Sequence, residues 1–126
     1  MVILYVDDDP EDIEIFIEAA RENDPTIKCL IAQDGSQAMD ILGAALLPDL
    51  VFLDINMPVI NGRALLAEIR KDSRFDEVPI VMYSTTITPK EREEYKKMGA
   101  NHFLIKHNHF QDLCDALSDI IKAKVR

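Results

Sequence analysis

Five short apolar runs, VILYV (2–6), IKCLIA (27–32), LVFLDI (50–55), PIVMYS (79–84) and HFLI (102–105), recur along the chain with helical patterns between them. Each is too short for a helix, almost continuously hydrophobic, and partly β-branched or aromatic. Strands covered on both faces of a parallel sheet read this way. After the first run, Pro10 suits a first helical position with Asp9 as cap. Ile13, Phe16, Ile17 and Ala20 then follow at i, i+3, i+4 and i+7 before the stop at Asn23, Asp24 and Pro25. Residues 35–46 offer Ala38, Met39, Ile41, Leu42 and Ala45 to a second helix. Residues 62–71 offer Leu65, Leu66 and Ile69 to a third, opened by Asn61 and Gly62.

Thr88, Pro89, Lys90 and Glu91 form a capping-box pattern that opens a fourth helix over 89–98, and Gly99 stands where a left-handed residue closes it. This helix carries little apolar surface beyond Tyr95 and Met98, so it is expected to be the least firmly anchored. The fifth helix, about 109–124, presents Phe110, Leu113, Cys114, Leu117, Ile120 and Ile121. Strand and helix thus alternate five times without a long linker. The pattern predicts a parallel sheet with right-handed crossovers and helices on both faces, a three-layer α/β fold.

A chain of 126 residues suits one domain, and the expected unit is 1–126. No apolar run approaches the roughly 18 residues of a membrane span, and Met1 leads straight into a strand-like run without a basic leader. A cytoplasmic location is expected. The formal charge of −9 argues against nucleic acid as a direct partner, because neutralising phosphates requires a basic surface. Cys29 and Cys114 sit in apolar contexts far apart without metal-type spacing, which predicts buried free thiols.

In a parallel sheet the functional groups gather at the carboxyl ends of the strands. Here those ends carry Asp7, Asp8 and Asp9 after the first, Asp54 closing the third, Ser84 with Thr85 and Thr86 after the fourth, and Lys106 after the fifth. Converging carboxylates repel, which protonation or a hard divalent cation relieves. Mg²⁺ suits such a set, taking a few carboxylates, often a carbonyl, and phosphate oxygens. Lys106 and Ser84 would add a charge and a hydroxyl donor for the equatorial oxygens of a phosphoryl group, with a carboxylate as nucleophile forming an acyl phosphate. A phosphoryl-transfer site is the outline.

Taken together, VDD (6–8), FLDINMP (52–58), Ser84 after an apolar strand, and Ile105-Lys106 after GANHFL (99–104) resemble the receiver domain of two-component response regulators, in order and spacing over essentially the whole chain. The resemblance implies a doubly wound (βα)5 flavodoxin-like fold with strand order 2-1-3-4-5. It implies Asp54 as phosphoacceptor, with Mg²⁺ held by Asp8 directly, by Asp7 through water, by Asp54, and by the Asn56 backbone carbonyl. It makes Ser84 the switch hydroxyl, Lys106 the conserved-type lysine and Phe103 the aromatic switch position. Asp9 is left as the helix cap.

The sequence departs from the family pattern in three places. His107 stands where Pro usually follows the lysine, Phe103 stands where Tyr is common, and Thr85 is larger than the usual Ala or Gly. Altered rates rather than lost chemistry are expected from these changes. The resemblance further implies a histidine kinase or histidine phosphotransfer protein as phosphodonor. Its other implications are slow self-dephosphorylation, an unidentified downstream protein target, and a monomer or phosphorylation-dependent dimer. Output is expected through the face of the fourth helix, fifth strand and fifth helix, and Ile15 is a candidate contact for the donor. The alternative is a pseudo-receiver, a binding module whose contacts ignore phosphorylation.

Other readings fit the residues less well. An EF-hand count from Asp7 places Asp12 where glycine is required, and Pro10 stiffens the loop. His102, His107 and His109 lack a fourth ligand and are read as polar residues without a role. Asp54-Ile55-Asn56 is half of a DxD phosphatase signature, with an amide where the second carboxylate acts. No glycine-rich phosphate loop is present.

Overall fold

The computed structural model describes residues 1–44, 47–57, 61–106 and 109–124. Within them the elements alternate as β1 (Val2–Val6), α1 (Pro10–Asn23), β2 (Lys28–Ala32), α2 (Gly35–Gly43), β3 (Leu50–Asp54), α3 (Gly62–Arg70), β4 (Ile80–Ser84), α4 (Pro89–Lys97), β5 (His102–Ile105) and α5 (Phe110–Lys124). The strands form one parallel sheet in the order β2-β1-β3-β4-β5, as the resemblance implies. A short 3-10 turn, Ser73–Phe75, precedes β4 and has no counterpart among the predicted elements.

Local chemistry sets most helix ends. The Asp9 side chain accepts from the Glu11 amide, Asp34 from Gln37, and Asn61 from Ala64, each satisfying an amide that the first helical turn leaves without a partner. Thr88 and Glu91 complete the capping box of α4, and Gly99 follows that helix at φ +103°, open to glycine without strain. The second helix closes at Gly43, short of the predicted residue 46, because the Ala44 cap is already extended; Ala45 lies outside the described residues.

Strand alternation divides the core between the two faces of the sheet. Ile3, Tyr5, Leu50, Phe52, Val81, Tyr83 and Leu104 meet α1 and α5, whereas Leu4, Val6, Val51, Leu53, Ile80 and Met82 meet α2 and α3. Helix α4 buries only Tyr95 fully, in keeping with its predicted weak anchorage. Two expectations are corrected. Phe110, assigned to the core stripe of α5, is 39% exposed, since as the first helical residue it lies at a surface hollow beside Glu18, Arg21 and Glu22 of α1. Cys29 is only partly buried, because its strand β2 forms one edge of the sheet, while Cys114 is buried; both thiols are free. Among the described residues no helix is long and apolar enough to cross a membrane.

Candidate functional site

The carboxyl ends of the central strand β3 and its neighbour β1 deliver Asp54 and Asp7 to one point, and the end of the edge strand β5 brings Lys106 over them. Asp7, Asp8, Asp9, Asp12, Asp54, Asn56, Thr85 and Lys106 line an open cleft of about 410 Å³. Asp7, Asp8 and Asp54 each place a carboxylate oxygen within 4.8 Å of the others. Asp7 is wholly buried, Asp54 is 3% exposed, and Asp8 is exposed. This all-oxygen donor set, part buried and open on one side, fits a hard divalent cation such as Mg²⁺.

The two buried carboxyls are treated differently by their surroundings. Burial pushes Asp54 up to about 6, opposed by the Asn56 amide that donates to Oδ1 at 3.1 Å; the charge of Asp7 adds to the rise and Lys106 opposes it. Burial also penalises the ionised Asp7, yet donors prevail and hold its carboxyl below the usual range. These are the Tyr5 hydroxyl at 2.6 Å, the Asp9 amide at 3.0 Å and the Lys106 ammonium at 3.2 Å. One carboxyl is thus kept ionised while its neighbour is easily protonated, which lowers their mutual repulsion.

Lys106 reaches Asp12 Oδ2 at 2.9 Å, Asp7 Oδ2 at 3.2 Å and Asp54 Oδ2 at 3.5 Å, and its ammonium lies 5.2 Å from the centre of the Tyr83 ring. Burial disfavours its charge, but the hydrogen bond it donates to Asp12 and the charges of Asp7 and Asp54 outweigh that and raise its pKa. The His107 bond that follows, and Pro58 of the FLDINMP motif, lie outside the described residues.

Ser84 is buried at the end of β4, and its hydroxyl accepts from Asn56 Nδ2 at 3.2 Å. Thr85 supplies the neighbouring stretch of cleft wall. Phe103 is half-buried and packs against the α2–α3 side of the core, with the Arg92 guanidinium of α4 4.8 Å from its ring centre. Ile15 is 44% exposed on α1. His102 and His109 are not among the described metal-type clusters.

The structure therefore brings together Asp7, Asp8, Asp54, Asn56, Ser84 and Lys106, whereas Phe103 lies outside the acidic cleft, on the α2–α3 face of the sheet that Met82 and Ser84 also face. It adds two groups to which the sequence reading gave no part in the site, the Tyr5 hydroxyl and the Asp12 carboxylate. Tyr5 had a signal: as the residue two before Asp7 in an extended run, it shares a face with it. Asp12 had none, since its partner is 94 residues away.

The model for the response regulator receiver domain matches residues 3–118. The response regulator Rcp1 of Synechocystis sp. is 28% identical over 118 residues, covering 89% of this chain and 80% of its own. The crystal structure of the Mn²⁺-bound form of response regulator Rcp1 superposes with a TM-score of 0.81 at 27% identity, covering 94% of this chain and 90% of that one. The phosphorylated cyanobacterial phytochrome response regulator RcpA superposes with a TM-score of 0.87 at 28% identity, over 98% of this chain and 93% of that one. The sensor histidine kinase TmoS of Ectopseudomonas mendocina is 28% identical over 123 residues, which are 98% of this chain and only 12% of that protein.

Proposed function

The chain belongs to the response regulator receiver family of two-component systems, and from that premise we propose that Asp54 accepts a phosphoryl group from a histidine kinase or histidine phosphotransfer protein. The observation that carries this reading is the setting of Asp54. It is a nearly buried carboxylate at a strand end, tied through Oδ1 to the Asn56 amide, with Oδ2 3.5 Å from an ammonium and an acidic cation site beside it.

An oxygen of ionised Asp54 attacks phosphorus as the bond to the donor's imidazole nitrogen, or to the acetate oxygen of a small donor, breaks with its electron pair. The product is an acyl phosphate, and its hydrolysis by water returns the carboxylate. Asp8 would hold Mg²⁺ directly and Asp7 through water, with Asp54 and the Asn56 carbonyl completing the protein's share. When bound, the cation neutralises charge on the phosphoryl oxygens. Lys106 supplies a second positive charge from the β5 side. The Ser84 hydroxyl exchanges its Asn56 contact for a phosphoryl oxygen, leaving room for Phe103 to turn inward. The surface of α4, β5 and α5 is thereby biased toward a downstream protein.

The test is incubation with Mg²⁺ and acetyl phosphate, read by intact mass. One added phosphoryl group, abolished by Asp54→Asn and by a chelator, is expected. A folded protein that takes up no phosphoryl group from either acetyl phosphate or a kinase would instead be a pseudo-receiver.

A further inference from the structure

Three carboxylates compete for the Lys106 ammonium, and the nearest belongs neither to the phosphoacceptor nor to the cation cluster: Asp12 Oδ2 lies at 2.9 Å, against 3.2 Å for Asp7 and 3.5 Å for Asp54. We infer that Asp12 is a positioning residue that holds Lys106 off Asp54 in the resting protein and thereby limits how readily the ammonium meets an incoming phosphoryl group. The inference rests on Asp54 being the phosphoacceptor.

The fold explains why this contact exists. Lys106 follows Leu104 by two residues and so projects from the edge strand toward the face covered by α1 and α5. Asp9 caps α1 and Pro10 starts it, which places Asp12 in the first helical turn. Asp7 and Asp12 accept hydrogen bonds from Lys106, whereas the Asp54 contact is longer and is an ion pair alone.

The two hydrogen bonds are not equally easy to give up. Asp7 is wholly buried, so withdrawing the ammonium would leave an under-compensated charge inside the protein. Asp12 has 31% of its side chain exposed and can be hydrated when Lys106 leaves. Transfer of a phosphoryl group adds charge and reach on the Asp54 side. The ammonium can then swing from Asp12 to the new oxygens while keeping Asp7. Asp12 therefore opposes recruitment of Lys106, and removing its charge releases the lysine in advance.

The measurement is the second-order rate of phosphorylation of the full chain by acetyl phosphate with Mg²⁺, read by intact mass. Asp12→Asn should raise it about three- to tenfold. Asp12→Glu should restore the wild-type rate. Glu14→Gln, which removes one charge from the exposed side of the same helix, should leave it nearly unchanged. In a Lys106→Ala background Asp12→Asn should have no effect. An equal gain with Glu14→Gln, or a gain that survives in Lys106→Ala, would make the effect a general field and overturn the inference.

Urea unfolding of the same Asp12→Asn and Lys106→Ala pair and their double variant provides a readout independent of phosphorylation. Non-additive stabilities are expected, and additive ones mean that the contact does not exist in solution. If wild type takes up no phosphoryl group while the stabilities are non-additive, the reading of Asp54 fails and takes Asp12's role with it. If wild type is phosphorylated and Asp12→Asn changes no rate, the inference about Asp12 alone fails.

Discussion

The Tyr5 hydroxyl donates to Asp7 Oδ2 at 2.6 Å, inside the protein and at the base of the acidic cleft. The ring is fixed by stacking on Phe16, with centroids 4.0 Å apart, so the hydroxyl is delivered rigidly. It is one of the donors that hold the Asp7 carboxyl below the usual range. A depressed carboxyl stabilises the fold above its unfolded pKa, and that stability is lost as pH falls through the folded value. Tyr5→Phe keeps the ring and deletes the donor. It should cost about 1–3 kcal/mol near neutral pH and shallow the acid limb of the stability curve. It should also weaken Mg²⁺ or Mn²⁺ binding by about tenfold in calorimetric titration, because Asp7 loses a group that orients it. Unchanged metal affinity would show that Asp7 needs no such support.

Asp54 shifts the other way, and the sign of its effect reverses. Its carboxyl is raised by burial to about 6 from the ordinary 3.8. The stability it leaves in place is complete below the unfolded value and is lost as pH rises through the folded one. Without divalent cations, stability should therefore fall between about pH 4 and pH 6 at this group. Asp54→Asn, which cannot ionise, should be more stable than wild type above that window by on the order of 1–3 kcal/mol. Saturating Mg²⁺ should close the gap between the two proteins. Chemical denaturation at pH 4.5 and 7.5, with and without the cation, measures it; equal stabilities at pH 7.5 without cation would contradict it.

Much of this arrangement is legible in the amino-acid sequence alone. The β1 and β5 runs coincide with the observed strands, and Asp9, Asn61 and Thr88 start helices where their chemistry says they should. Local signals are what these features depend on. The 3-10 turn Ser73–Phe75 was missed because three residues behind an Asp72 cap carry no periodicity. Phe110 fits the apolar stripe of α5 by spacing, but spacing does not say that the stripe begins only where α5 comes to lie over the sheet. Candidate ligands were legible because strand ends collect polar groups. The Asp12–Lys106 pair was not, since it depends on how a helix near the start of the chain lies beside an edge strand near its end.

Gly62 opens α3 directly against the acid-bearing end of β3. A Cβ there would press into the Asp54 carbonyl oxygen and lie 2.9 Å from Ile55 Cα, both backbone atoms that no rotamer change can move aside. Gly62→Ala must therefore push α3 away from β3 or tilt the peptide that carries Asp54. A loss of about 1–3 kcal/mol is expected, the usual range for overpacking, although alanine is the better helix former. Because the strain falls on Asp54, phosphorylation by acetyl phosphate should slow by more than the stability loss explains under conditions where the variant is fully folded. A slower rate together with an intact fold in circular dichroism is the expected pair of results.

Arg70 ends α3 with its guanidinium turned into the protein, where it holds four acceptors. Nε donates to the Gly99 carbonyl at 3.0 Å, one terminal nitrogen to the Phe75 carbonyl at 2.6 Å, and the other to the Val78 carbonyl and Asn101 Oδ1, both at 2.9 Å. It ties the 3-10 turn, the approach to β4 and the turn that leaves α4 to a single side chain. Asn101 Oδ1 in turn accepts from the Ile80 amide at 2.9 Å, so the network reaches the start of β4. A lysine cannot reproduce this, because one ammonium cannot span acceptors arranged for a planar fork. Arg70→Lys should therefore cost about 2–4 kcal/mol, more than a surface substitution, by leaving carbonyls without donors. The loss should be local before it is global: amide exchange should accelerate at 99–101 and along α4, while β1 and β3 stay protected. Since α4 is already thinly anchored, loosening its C-terminal turn should widen the range of surfaces it presents to a partner. Uniform acceleration across the whole sheet would instead mean that Arg70 supports the core as one unit and has no particular hold on α4.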